Sequence, residues 1–92
     1  MMNAALSSTA IEKIKAVSGK PTYGLKVDIG NDQEISFKYW QGGKVERVYV
    51  ARNGKSIGYY DLSDGTFYKL GAQYSRLTAA EFAATALAIL GL

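Results

Sequence analysis

The stretch VERVYVARNGKSIGYYDLSDGTFYKL, Val45 to Leu70, decides the fold, because turn dipeptides close its strand-like runs and fix their register. Asn53-Gly54 between β-rich runs is the signature of a two-residue type I′ hairpin, in which both central residues need positive φ. That loop predicts Arg52 opposite Lys55, Val50 opposite Ile57, Val48 opposite Tyr59 and Arg47 opposite Tyr60. Asp64-Gly65, read the same way, sets Leu62 against Phe67, Tyr60 against Lys69 and Tyr59 against Leu70. Upstream, Gly42-Gly43 as a tight turn sets Trp40 against Val45, Lys38 against Arg47, Phe37 against Val48 and Ile35 against Val50.

Side chains alternate across a strand, so a register is sound only if it sorts apolar from charged residues. Here one face collects Ile35, Phe37, Val48, Val50, Ile57, Tyr59 and Leu70. A first strand with Leu25, Val27 and Ile29, turning at Gly30-Asn31-Asp32, continues it. This is the expected core face. The opposite face carries a row Lys38, Arg47, Tyr60 and Lys69 beside a second row Trp40, Val45, Leu62 and Phe67, half cationic and half aromatic.

Both ends read as helices. Thr9-Ala10-Ile11-Glu12 is a capping box, and the segment runs through Ile14 and Val17 to a stop at Gly19 and Pro21, giving a helix over about residues 9 to 18. Thr78-Ala79-Ala80-Glu81 is a second box, with Leu77 and Phe82 placed as a hydrophobic staple, and opens a helix over about residues 79 to 90. Beyond Glu81 that helix is apolar all round, as expected of one buried on more than one side. Its alanine side, Ala80, Ala84 and Ala88, would let a second helix approach closely, so a homodimer is expected there. The sum is an α+β fold, a five-stranded antiparallel meander with an N-terminal and a C-terminal helix.

At 92 residues and 48% hydrophobic, the chain reads as a single small domain with a modest core, near the size where burial only just outweighs chain entropy. The net charge of +3 is mildly basic, compatible with a nucleic-acid partner but well short of a polycation. Absence of cysteine and histidine removes disulfides, thiolate chemistry, the usual zinc ligands and the Ser-His-Asp arrangement. A reducing, cytoplasmic setting fits that composition. The first residues lack a charged stretch followed by an apolar run, so no signal peptide is expected, and the apolar C-terminal run falls short of the ~20 residues a bilayer span needs.

No catalytic or metal motif emerges, and the expectation is a binding protein without enzymatic activity or cofactor. The nearest approach to acid chemistry is Glu46, which the register places across from Asp61; turn chemistry accounts for such carboxylates more simply. Gly54-Lys55-Ser56 matches the end of a phosphate-binding loop, but the earlier glycine is missing and the segment lies in a hairpin. The cationic and aromatic face is the better candidate. Single-stranded nucleic acid needs cations along its phosphates and rings on which bases stack. Lys38, Arg47 and Lys69 supply the first, and Trp40, Tyr49, Tyr60 and Phe67 the second. Ordinary packing beneath a helix would equally account for those aromatics. The competing functional reading is a protein-binding module, a small regulator or inhibitor of the kind mobile elements encode, which would bind its partner through the Trp40 and Phe67 patch and the apolar C-terminal helix.

From Arg47 to Ala83 the order RVYVARNGKSIGYYDLSDG, a further strand, then SRLTAAEF opening a helix resembles the strand-strand-strand-helix pattern of the transcriptional coactivator family called positive cofactor four. The resemblance implies a curved antiparallel sheet, a dimerising C-terminal helix and single-stranded DNA in a basic channel. The loop Gly71 to Arg76 lacks the basic cluster of that pattern, and the N-terminal helix and strand are additional.

Overall fold

Positive φ at Asn31 (55°), Asp32 (58°), Gly43 (61°), Asn53 (50°) and Gly54 (83°) folds the chain back on itself at three tight hairpins. The structure, a computed structural model, describes residues 6–18, 24–71 and 74–92. Helix α1 (Ser8–Ser18) precedes five strands, β1 (Leu25–Gly30), β2 (Gln33–Gly42), β3 (Val45–Arg52), β4 (Lys55–Asp61) and β5 (Thr66–Lys69), and α2 (Arg76–Leu90) closes the order. The strands form one antiparallel sheet in sequence order, an α+β meander.

Three departures from the expected register matter. The turn between β2 and β3 is Gly43-Lys44 rather than Gly42-Gly43, so Trp40 faces Arg47, Lys38 faces Tyr49 and Phe37 faces Val50. That slip of two residues leaves every side chain on its expected face. Between β3 and β4 the Arg52–Lys55 pair holds, but Ile57 is an extra residue on β4, and beyond it Val50 pairs with Gly58, Tyr49 with Tyr59, Val48 with Tyr60 and Arg47 with Asp61. Such a bulge inverts the alternation beyond it. Hence Tyr60, expected opposite Arg47 on the outer face, turns into the core, and Tyr59 turns out.

The third departure follows from a longer last turn. Asp61 pairs with Thr66 across a four-residue loop, Leu62 to Gly65, in which Gly65 N–H donates to Asp61 O at 2.8 Å and Asp61 Oδ1 accepts from Ser63 N–H at 2.9 Å. Phe67 therefore meets Tyr60 rather than Leu62, and Tyr68 meets Tyr59. Leu70, expected in the core, lies past β5 and is exposed.

The core forms between one sheet face and both helices. Val27, Ile35, Phe37, Val48, Val50, Ile57, Tyr60 and Phe67 close against Ile14 of α1 and Ala79, Ala80, Ala83 and Ala86 of α2. Helix α1 lies over β1 and β2, whereas α2 touches both edge strands. A 15-residue helix is ~22 Å long and four strand spacings come to ~19 Å, so α2 can cross the whole sheet. Small alanines let it lie close. Arg76 Nε donates to Phe67 O at 3.0 Å and pins the start of α2 at β5.

Both helices start earlier than the capping boxes suggest. Ser7 Oγ accepts from Ala10 N–H at 3.1 Å, and Ser75 Oγ accepts from Thr78 N–H at 3.0 Å. A serine two or three residues upstream offers the same acceptor and lengthens each helix at its start. Consequently Leu77 is not the staple residue and is exposed, while Phe82 meets Tyr74 edge-on with ring centroids 5.5 Å apart. At the other end Gly91 takes φ 73°, Gly91 N–H donates to Ala88 O and Leu92 N–H to Leu87 O, a Schellman close. The stop expected at Gly19 and Pro21 lies outside the described residues. No helix among the described residues is long and apolar enough to cross a membrane.

Burial pushes the Tyr60 hydroxyl up to about 12 from its ordinary 10.0. A group whose folded value is raised stabilises fully below its unfolded value and loses that share as pH climbs through the folded one. Stability is therefore expected to fall by about 2 to 3 kcal/mol between pH ~10 and ~12. Urea midpoints across that window test this, and a Tyr60→Phe chain that loses as much as the parent would rule Tyr60 out as the cause.

Candidate nucleic-acid interface

The sheet face away from the helices is built by the observed register. Cross-strand pairing lines up Lys38, Tyr49, Tyr59 and Tyr68 in one row, Trp40, Arg47, Asp61 and Thr66 in the next, and Lys26, Ser36, Ala51 and Ser56 on the other side. Four rings run together across β2 to β5. Trp40 meets Tyr49 edge-on at 6.3 Å, Tyr49 meets Tyr59 at 5.4 Å and Tyr59 stacks on Tyr68 at 5.3 Å. Interior rings pack on their neighbours, so stacking surface is concentrated at the ends, where Trp40 is 44% and Tyr68 39% exposed.

Arg47 holds the middle of this row. Its Cζ lies 4.3 Å from the Tyr59 ring centroid and its Nη1 donates to the Tyr49 hydroxyl at 2.9 Å. The hydrogen bond to Tyr49 raises the guanidinium pKa further, so the charge is permanent. Its Nε is buried with no hydrogen-bond partner among the described residues. At the far end Tyr68 donates to Asp64 Oδ2 at 2.7 Å. Thr66 N–H and then the Tyr68 hydroxyl hold the Asp64 carboxyl below its ordinary range, anchoring the last ring to its own turn.

Beside the aromatic row lies a shallow depression of about 410 Å³. Its floor is small, from Ser36, Ala51 and Ser56, and its sides are Lys26, Lys38 and Tyr49. Two ammonium groups opposite a ring suit a phosphate-linked base. Asp28 pairs with Glu34 beyond Lys26, and Asp61 sits across from Arg47, so carboxylates bound the cationic stretch at both ends.

Of the residues the sequence singled out, Lys38, Trp40, Arg47 and Tyr49 meet on this face. Tyr60 and Phe67 do not; at 3% and 1% exposed they are core, in edge-to-face contact at 5.1 Å. Lys69, opposite Gly58, falls on the helix side by alternation. Tyr59, Tyr68 and Lys26 take their places. The signal for the two tyrosines was Gly58, since a glycine inside a strand run often marks a bulge, and for Lys26 it was simple alternation with Leu25 and Val27. Glu46 and Asp61 are on opposite faces, with Glu46 accepting from the Tyr39 hydroxyl and Arg47 across from Asp61. No group of carboxylates able to hold a metal occurs among the described residues. On α2, Ala84 and Ala88 are exposed while Ala80 is buried against the sheet, so the expected alanine contact loses one member.

Comparison with family models, curated proteins and solved structures returns no match to this chain.

Proposed function

We propose that the chain is a non-catalytic cytoplasmic protein whose open sheet face binds single-stranded nucleic acid with little sequence preference. The observation that carries this reading is the continuous row of Trp40, Tyr49, Tyr59 and Tyr68, threaded by Arg47 and bordered by Lys26 and Lys38. Stacking is worth ~1 to 3 kcal/mol per base and tolerates any base, because every base has a π-face. Cations beside it contact phosphates, which position a strand without reading it. Neither stacking nor phosphate contact reads a base edge, hence the weak preference. The likeness of residues 47–83 to the positive cofactor four family implies the same kind of ligand.

Equilibrium titration with a short fluorescent oligonucleotide at low salt tests the proposal. Saturable binding of both mixed-sequence and homopolymeric strands is expected; a folded protein that binds neither would reject it.

A protein partner is the second reading, favoured by α2, whose outer side exposes Leu77 (57%) and Ile89 (55%) beside Ala84 and Ala88. Self-association there would give a dimer at micromolar concentration in sedimentation, abolished by Ala84→Glu. A parent chain that sediments as a monomer would remove this contact.

A further inference from the structure

We infer that the cleft between the β3–β4 hairpin tip and the start of α2 is a binding site for a phosphate group. The cleft holds about 160 Å³ and is lined, among the described residues, by Arg52, Asn53, Lys55, Ile57 and Tyr74. A water's share of liquid volume is ~30 Å³, so the space accommodates about five heavy atoms, the count of a phosphate.

The polar side chains of the lining offer mainly donors, because the oxygens of Asn53 and Tyr74 are already engaged as acceptors. Asn53 Oδ1 accepts from Glu34 N–H at 2.8 Å, which fixes the amide orientation and turns the Nδ2 donors elsewhere. The Tyr74 hydroxyl oxygen accepts from Arg52 Nη1, leaving its own proton to donate. Arg52 is held in place by Gln33 Oε1 at 3.2 Å from its Nε and by the Tyr74 and Phe82 rings, 5.4 and 4.9 Å from its Cζ, and its Nη2 has no hydrogen-bond partner among the described residues. The Lys55 side chain makes no hydrogen bond or ion pair among the described residues. Donors without acceptors select an anion.

The charges narrow the choice further. Arg52 and Lys55 are direct cross-strand partners, a like-charge juxtaposition that disfavours the hairpin, and no described carboxylate pairs with either. An occupant carrying close to two negative charges relieves that repulsion. A phosphate monoester carries about −1.5 to −2 at neutral pH, whereas a carboxylate carries one. Arg52 supplies the rigid planar donor set and Lys55 a mobile point charge, a division suited to a tetrahedral oxyanion. Two sources share this chemistry, a small phosphate ester and the terminal phosphate of a strand. The second rests on the proposed function, since Ser56 and Gly54 of the same hairpin line the outer depression.

The test is a titration with inorganic phosphate at constant ionic strength, followed by ¹⁵N–¹H spectra of the intact chain. Saturable shifts at Arg52 Nε and the Asn53 side-chain amide are expected, weakened about tenfold by Lys55→Gln, with core signals unchanged. Lys55 is exposed, so the variant keeps the fold. Shifts that chloride reproduces, or that Lys55→Gln leaves intact, would overturn the site. Parallel arms compare 5′-phosphorylated with 5′-hydroxyl oligonucleotides. A preference for the phosphorylated strand, lost in Lys55→Gln, supports the site and names a strand end as the source; equal affinity alongside saturable phosphate supports it with a free ester. Saturable phosphate without any oligonucleotide binding sustains the site and rejects the nucleic-acid reading.

Discussion

Replacing Gly58 by valine is expected to destabilise the fold by about 3 kcal/mol or more, although valine is the better strand former by propensity. A Cβ at this position would stand 2.3 Å from Cζ of Phe67 and 2.7 Å from the backbone oxygen of Tyr68. The ring of Phe67 occupies the space above Gly58, and the strand backbone cannot give way without breaking the β4–β5 pairing. Expelling that ring costs on the scale of deleting a buried phenylalanine, ~3 to 5 kcal/mol. With total stabilities of ~5 to 15 kcal/mol for domains of this kind, much of the chain's margin would go. The urea midpoint reads it out, with a drop of about 1 to 3 M expected. A change under half a kcal/mol would mean that Phe67 does not lie over Gly58, and with it the inward face of β4 and β5 would fall.

The same glycine marks the limit of what the sequence revealed. Five strands, two helices and the buried set Val27, Ile35, Phe37, Val48, Val50 and Ile57 were legible, because turn dipeptides and period-2 alternation are local signals. The slip at Gly42-Gly43-Lys44 was harmless, since a shift of two residues preserves faces. The bulge at Ile57 was not harmless. It is one residue in length, yet it exchanges Tyr60 and Phe67 for Tyr59 and Tyr68 on the outer face. Nothing in the spacing of apolar residues chooses between those pairs, because Tyr59-Tyr60 and Phe67-Tyr68 are each aromatic at both positions. What decides is packing: Phe67 fills the gap at Gly58, and the inverted alternation puts that gap inside. The helix starts were misplaced for a related reason, as Ser7 and Thr9, or Ser75 and Thr78, are chemically equivalent caps until tertiary contacts select one.

Affinity for single-stranded nucleic acid is expected to fall roughly 5- to 150-fold in Trp40→Ala, the loss of one stacked base, without a change in salt dependence. Arg47→Ala is expected to behave differently. If Lys26, Lys38 and Arg47 each neutralise one phosphate, log affinity falls with log salt at a slope of about −2, roughly twenty-fold between 50 and 200 mM. Removing Arg47 reduces that slope to about −1.4, and it also frees Tyr49 and Tyr59 from the guanidinium that holds them. Arg47→Lys separates the two roles. The ammonium restores the charge, so the slope returns to about −2, but it offers no planar group to lie on Tyr59 while donating to Tyr49, so affinity stays below that of the parent. Equal slopes in the parent chain and Arg47→Ala would show that Arg47 is only a brace between two tyrosines. Full recovery of affinity in Arg47→Lys would show the reverse, that the ring row gains nothing from being held and that charge alone binds the strand.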